Sequence, residues 1–240
     1  MSTTRAQLIQ RVALKMDEVS PSIAAADLIA VDASDGNPLY TLIDGLIDGG
    51  ALELFSVAPY WRLKQVTFGN DSIEFEAVGT ARTVNDGATT IPARKMIRLK
   101  VPDDFLRVAE INHVSFQRPI TEVVQEISEM GKRQHNPFLM AKEARPVGVM
   151  SHGVWSTTQC REIDCYSVAS SYSSKSDVTA TYIPKPATIS DSGTVVTVED
   201  AVPEVLIPAL EWLIAARTFG ARGDANHAAI CQQNAQNVLV

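Results

Sequence analysis

The hydrophobic period of this chain changes twice along its length. Toward both ends apolar residues recur three and four apart, the spacing of a helix that buries one face, whereas the middle alternates in steps of two, the spacing of strands. At the start, Thr4-Arg5-Ala6-Gln7 fits a capping box, and Leu8, Ile9, Val12, Ala13 and Met16 follow at helical spacing until Ser20-Pro21. This predicts a helix over Thr4 to Val19. Asn37 as N-cap and Pro38 at the first helical position open a second, with Leu39, Leu42, Ile43, Leu46 and Ile47 on one face, running to Leu54 or beyond. Gly45, Gly49 and Gly50 lie inside it. Each costs about 1 kcal/mol relative to alanine, so they demand a tertiary reason such as close packing on a neighbour.

After Ala58-Pro59 the alternation Ile73, Phe75, Ala77 against Glu74, Glu76, Val78, preceded by Gly69-Asn70-Asp71, predicts a hairpin from Lys64 to Val78. Lys95 to Val101 and Val108 to Phe116 read as strands flanking Pro102-Asp103-Asp104-Phe105-Leu106, where a proline followed by carboxylates suits a single helical turn. A polar helix is expected from Thr121 to about Lys132, and strands over Pro146 to Ser151, Gly153 to Thr157, Arg161 to Ser167, Val178 to Ile183 and Thr194 to Val198. Ser170 to Ser176 is a serine-rich loop, and Pro184-Lys185-Pro186 is rigid and extended. Two helices close the chain: Glu204 to Phe219, carrying Val205, Leu206, Leu210 and Leu213, and a second capped by Asp224 that carries Ala228, Ala229, Ile230, Ala235, Val238 and Leu239. The expected fold class is α+β, with N-terminal helices over 1–59, a β-rich centre with antiparallel strands over 60–200 and C-terminal helices over 201–240, taken together as one folded unit.

With 240 residues, 45% of them apolar, the chain can bury a substantial core. Its 21 Lys and Arg against 28 Asp and Glu give a net charge of −7, which disfavours tight binding to phosphate backbones. The charge is uneven: residues 1–60 hold three basic and eight acidic side chains, net −5, and residues 61–120 hold nine and seven, net +2. Three cysteines, Cys160, Cys165 and Cys231, suit reduced thiols and a reducing compartment. The opening Met-Ser-Thr-Thr-Arg does not look like a secretory signal, and Val205 to Phe219, interrupted by Pro208, Glu211 and Arg217, falls short of the ~20 residues of a membrane span. A soluble protein made in cytoplasm is expected.

The motifs of enzyme chemistry are sparse. His113, His135, His152 and His227 sit in separate elements without metal-ligand spacing, and there is no nucleophile elbow, phosphate loop or dinucleotide fingerprint. The acid pairs Asp103-Asp104 and Glu74/Glu76 allow a second reading, a hydrolase of cell-wall glycans, since glycosidases use two carboxylates. A cap on a short helix accounts for Asp103-Asp104 more simply. The run Arg94, Lys95, Arg98, Lys100 puts Arg94, Arg98 and Lys100 on one face of a strand, either a charged edge or a surface for the acidic N-terminal region of a neighbouring subunit.

Several segments together resemble one family. Ile97-Arg98-Leu99-Lys100-Val101-Pro102-Asp103-Asp104-Phe105-Leu106-Arg107-Val108 is similar to the strand-then-Pro-x-Asp-Phe-Leu-Arg step of the head-to-tail adaptor, or ring, proteins of short-tailed bacteriophages, the crAss-like group included. Phe116-Gln117-Arg118-Pro119-Ile120, Ala144-Arg145-Pro146-Val147, Tyr182-Ile183-Pro184-Lys185-Pro186 and the helix ending near Ala215-Ala216-Arg217 resemble the later segments of those proteins. The resemblance implies a structural virion protein without enzymatic activity, cofactor or metal. Its implied form is a dodecameric ring between portal and tail that extends the DNA channel, passing DNA without reading its sequence and without contact with a membrane. Its implied partners are the portal protein, other tail or ring proteins and further copies of itself. Pro102, Asp104, Phe105, Arg107, Arg118 and Pro119 are the implied structural positions. Leu206, Leu210, Leu213 and Phe219 are the expected portal-docking side chains, and Arg94, Arg98 and Lys100 the expected subunit contacts.

Overall fold

The computed structural model describes residues 3–19, 38–79, 82–83, 90–91, 94–134, 141–155, 158–169, 171–189 and 197–239. The acidic loop over Asp32 to Asn37, His135, and all but the end of the strand expected over Thr194 to Val198 lie outside them. The fold is mixed α+β, with helices from both chain ends and sheets between. It divides into two compact units, one of residues 1–64 with 185–240 and one of residues 65–184. The boundaries between the two units fall at Lys64 and Pro184.

In the helical unit, α1 (Arg5–Val19) is opened by the expected capping box: the Thr4 amide donates to Gln7 Oε1 at 3.0 Å and the Gln7 amide to Thr4 Oγ1 at 3.2 Å. Leu8, Ile9, Val12, Ala13 and Met16 are the residues it buries. Helix α2 (Pro38–Val57) buries Leu39, Ile43, Ile47, Gly50, Ala51, Leu54 and Phe55. Gly50 has the tertiary reason its sequence position demanded: a Cβ there would stand 2.7 Å from Ile214 Cγ1, so its absence lets α2 close on α3 (Ile207–Ala221). Helix α3 is buried over most of its circumference because α1, α2 and α4 (Ala225–Leu239) all pack on it. Gly223, at φ 81°, allows the turn into α4, where Asp224 Oδ1 accepts from the His227 amide at 3.2 Å.

Polar links lace the two chain ends together within this unit. Arg5 donates through Nε to Asp44 Oδ1 at 2.5 Å and through a terminal nitrogen to the Asp44 carbonyl at 2.7 Å. It also reaches the Ile189 carbonyl on the returning chain. The Thr3 amide donates to the Glu199 carboxylate at 2.7 and 2.8 Å, beside a one-turn helix Val198–Ala201.

The β unit contains ten strands among its described residues: β1 (Val66–Thr67), β2 (Ile73–Gly79), β3 (Arg82–Thr83), β4 (Thr90–Ile91), β5 (Arg94–Lys100), β6 (Phe105–His113), β7 (Val123–Gln125), β8 (Val147–Trp155), β9 (Thr158–Ala169) and β10 (Val178–Pro184). They form a five-stranded sheet, β2-β5-β9-β8-β7, a three-stranded sheet, β1-β10-β6, and the pair β3-β4. All ladders are antiparallel except β7 with β8. Ile73, Ile97, Leu99, Ile163 and Cys165 of the larger sheet share one core with Phe68, Phe105, Val108, Ile111, Ala180 and Tyr182 of the smaller. On its other face the larger sheet carries a smaller apolar cluster of Met96, Val149 and Tyr166 with Ala141.

Four local expectations change. Lys64 to Val78 is not a hairpin: Val66 pairs with Tyr182 and Ile73 with Leu99, so the chain crosses between sheets at Gly69 to Ser72. Pro102 to Phe105 is a tight turn, closed by the Phe105 amide donating to the Pro102 carbonyl at 3.1 Å. The polar helix after Thr121 is instead β7 followed by a one-turn helix Glu129–Arg133, because Val123 and Val124 find a strand partner in β8. Among the described residues, the strands expected over Pro146 to Ser151 and Gly153 to Thr157 are one strand, β8, which runs from Val147 to Trp155 and into which Gly153 fits without a break. In each case the alternation marks which face is apolar but does not name the pairing partner.

Candidate functional site

The Pro102 step lies where the chain passes from one sheet to the other. Strand β5 ends in the five-stranded sheet and β6 begins the edge of the three-stranded one, so the Pro102–Phe105 turn bridges the two layers. Phe105 is buried between Phe68, at a centroid distance of 6.5 Å, and Tyr182, at 5.8 Å. Above it the Arg161 guanidinium lies 5.9 Å from the ring centre. Asp103 and Asp104 face solvent, and the Tyr182 hydroxyl donates to Asp104 at 3.1 and 3.3 Å. Burial, reinforced by Asp104, pushes the Tyr182 phenol pKa up and keeps it a donor. Arg107 is half-buried on β6, and desolvation lowers its pKa. Arg118 and Pro119 are exposed on a loop fastened by reciprocal hydrogen bonds between Ile111 and Ile120, each 2.8 Å.

The Arg98 guanidinium is engaged within its own sheet. Strand β5 is interior, between β2 and β9, and therefore is not the charged edge anticipated from its sequence. The Arg98 guanidinium meets Glu76 at 2.5 Å, Glu162 at 3.2 Å and Asp164 at 2.8 Å, all within its own sheet. Its pKa is raised chiefly by the hydrogen bond to Asp164. Glu162 is only 2% exposed, and burial raises its pKa against the pull of Arg98. Ser151 Oγ donates to Asp164 Oδ2 at 3.4 Å, and the Cys160 thiol to Glu162 Oε1 at 3.8 Å. Gly153 leaves room for this carboxylate, since a Cβ there would stand 2.1 Å from Glu162 Oε2. Lys100 is half-buried at the end of the strand, opposite Glu162 in register, and the Arg94 side chain lies outside what the structure describes. The sequence signal for this cluster was visible only as alternating charges on three separate segments. Its chemistry is cohesive: one guanidinium clamps carboxylates from β2 and β9 across β5.

The expected portal-docking side chains are also corrected. Leu206, Leu210, Leu213 and Phe219 are exposed by 0%, 0%, 4% and 3%, so they form core of the helical unit and offer no free face. A sequence stripe shows that a face must be covered, and here helices of the same chain cover it. Even Glu211 on α3 is buried, 3.6 Å from Arg11 of α1, with Lys15 lying 4.8 Å from the ring centre of Trp212. Apolar exposure in this unit lies elsewhere, notably at Trp61, which is 69% exposed and stacks edge-on against Tyr60.

The histidines do separate work. His152 is exposed on β8, His227 pairs with Asp224 at 2.5 Å, and His113 is buried at the end of β6. Among the described residues no three His, Cys, Asp or Glu side chains are grouped to hold a metal ion. The three thiols are free, with Cys165 and Cys231 buried. No helix among the described residues is long and apolar enough to cross a membrane. No protein-family model matches the chain, and no curated protein matches it.

Proposed function

We propose that this chain is a structural subunit of a phage head-to-tail adaptor, a ring between portal and tail that extends the DNA channel. The observation that carries the reading is the Tyr182–Asp104 hydrogen bond. Two of the segments that resemble the adaptor family, Pro102-Asp103-Asp104-Phe105 and Tyr182-Ile183-Pro184, are far apart in sequence, yet they meet at one crossover. Residues with that shared structural duty are what a family's fold signature consists of. Charge gives secondary support: residues 1–64 with 185–240 hold 8 basic and 14 acidic side chains, net −6, and residues 65–184 hold 13 and 14, net −1. A wall of that sign repels phosphate and does not grip a moving duplex.

The test is the mass of the purified chain alone and mixed with the portal protein of the same phage, followed by negative-stain imaging. The expected outcome is a closed ring or a co-complex with portal. A monomer that ignores portal and cleaves cell-wall glycan would overturn the reading in favour of the hydrolase. Deleting residues 203–240 does not serve as a docking test, because α3 and α4 are core and their loss unfolds the helical unit.

A further inference from the structure

His113 ends β6 opposite Val178 of β10 and is 1% exposed. Three rings enclose it: Tyr172 edge-on at 4.9 Å, Phe116 at 5.5 Å and Phe75 at 6.2 Å. The Ser115 amide donates to its Nδ1 at 3.1 Å, with Ser115 Oγ 2.7 Å from the same nitrogen. An amide can only donate, so Nδ1 accepts and the ring proton of the neutral form sits on Nε2. That Nε2 is buried and has no hydrogen-bond partner among the described residues. The ring is therefore held in one tautomer by the turn it supports, where the Phe116 amide donates to the His113 carbonyl at 2.8 Å.

We propose that His113 is an acid-sensitive latch, which in its neutral form fastens the 113–116 turn and the Tyr172 segment to the β unit and on protonation releases them. A second proton must go on Nδ1, where it opposes the Ser115 amide, and it puts a charge among three rings. The charged and titratable groups around the site come from several elements. Asp177, before β10, and Glu143, in the 141–145 loop, both favour the cation. Lys95 of β5 donates to the Tyr172 carbonyl at 2.9 Å and holds that segment in place, and Tyr172 itself presents its ring edge-on. Phe75 presents an apolar ring at 6.2 Å, and the buried Val178 is the cross-strand neighbour. Desolvation outweighs the two carboxylates and lowers the pKa of His113 below its ordinary value.

Released, the latch exposes Phe116 and Tyr172, so acidification would uncover an aromatic patch on the β unit. The test is an NMR titration of His113 in the full chain, with amide exchange at Ser115 and Phe116 followed from pH 7.5 to 5.5 and corrected for intrinsic rates. His113 should titrate below about 6.5, and the opening constant should rise by up to about tenfold over that range. His113→Phe fills the cage without a proton and should abolish the rise. Should that variant fail to fold, His113→Gln, which carries no titrating group and keeps an acceptor for the Ser115 amide, should likewise abolish the rise. A wild-type His113 that titrates at or above about 6.5 overturns the latch, as does an equal acid response in His113→Phe or His113→Gln.

Discussion

The Tyr182 hydroxyl donates to both carboxylate oxygens of Asp104, at 3.1 and 3.3 Å, and so ties the last strand of the β unit to the turn where the chain changes sheets. Tyr182 is 5% exposed and its ring packs on Phe68 at 5.0 Å, while Asp104 faces solvent. The bond thus fixes an exposed turn to a buried anchor.

Tyr182→Phe keeps the ring packing and removes only the donor. It should lower the stability of the β unit by about 1 kcal/mol, the usual net worth of such a bond. Asp104→Ala in the Tyr182→Phe background should cost little more. Urea unfolding of the single and double variants measures this coupling, and additive losses would show that the two side chains act independently.

Two glycines of α2 should respond to alanine with opposite signs. At Gly45 a methyl group would meet nothing within 4 Å among the described residues, so Gly45→Ala should stabilise by up to about 1 kcal/mol through helix propensity. At Gly50 the same methyl would stand 2.7 Å from Ile214, so Gly50→Ala should destabilise by about 1–3 kcal/mol despite the same propensity gain. Thermal unfolding of the pair checks the sign.

Gly153→Ala should push the Glu162 carboxylate away from Arg98 and cost about 1–3 kcal/mol. In a Glu162→Ala background the same alanine has room, and its cost should nearly vanish. A double-mutant cycle by denaturant unfolding reads this directly, with equal costs in both backgrounds arguing against the close approach.

Glu211 supplies a pH prediction for the helical unit. Burial raises its carboxyl pKa, opposed by Arg11 and Lys15, so the folded chain holds that proton more tightly than the unfolded one, whose value is about 4.3. The group's contribution to stability therefore grows as pH falls through the folded value and levels off below the unfolded one. Glu211→Gln is neutral throughout. Its stability relative to wild type should be highest near pH 7 and should decline as pH falls toward 4.5, measured by urea unfolding of both proteins in parallel.

Helix α1, with its capping box and its five buried residues, was fully legible in the sequence, because a cap and a 3.6-residue period are local properties. So were the α+β class, the strandedness of the middle and the presence of α2, α3 and α4, although of the apolar face expected on α4 Ala235 is buried while Ala229 and Ile230 are exposed. Pairing was not: Val66 finds Tyr182 and Arg98 finds Asp164 across long stretches of chain, and alternation records only that a face is buried. For the same reason the apolar stripe of Leu206 and Leu210 reads as a docking face in the sequence, whereas α1, α2 and α4 cover it. The charge contrast between segments was present in the sequence, yet only the tertiary structure showed that Arg98 is already neutralised by carboxylates of its own sheet. What the sequence determined by itself is which segments are amphipathic and whether each end or the middle runs as helix or strand. What the tertiary structure decided is which surfaces meet, since that choice rests on shape and charge fitting between segments whose separation no local pattern records.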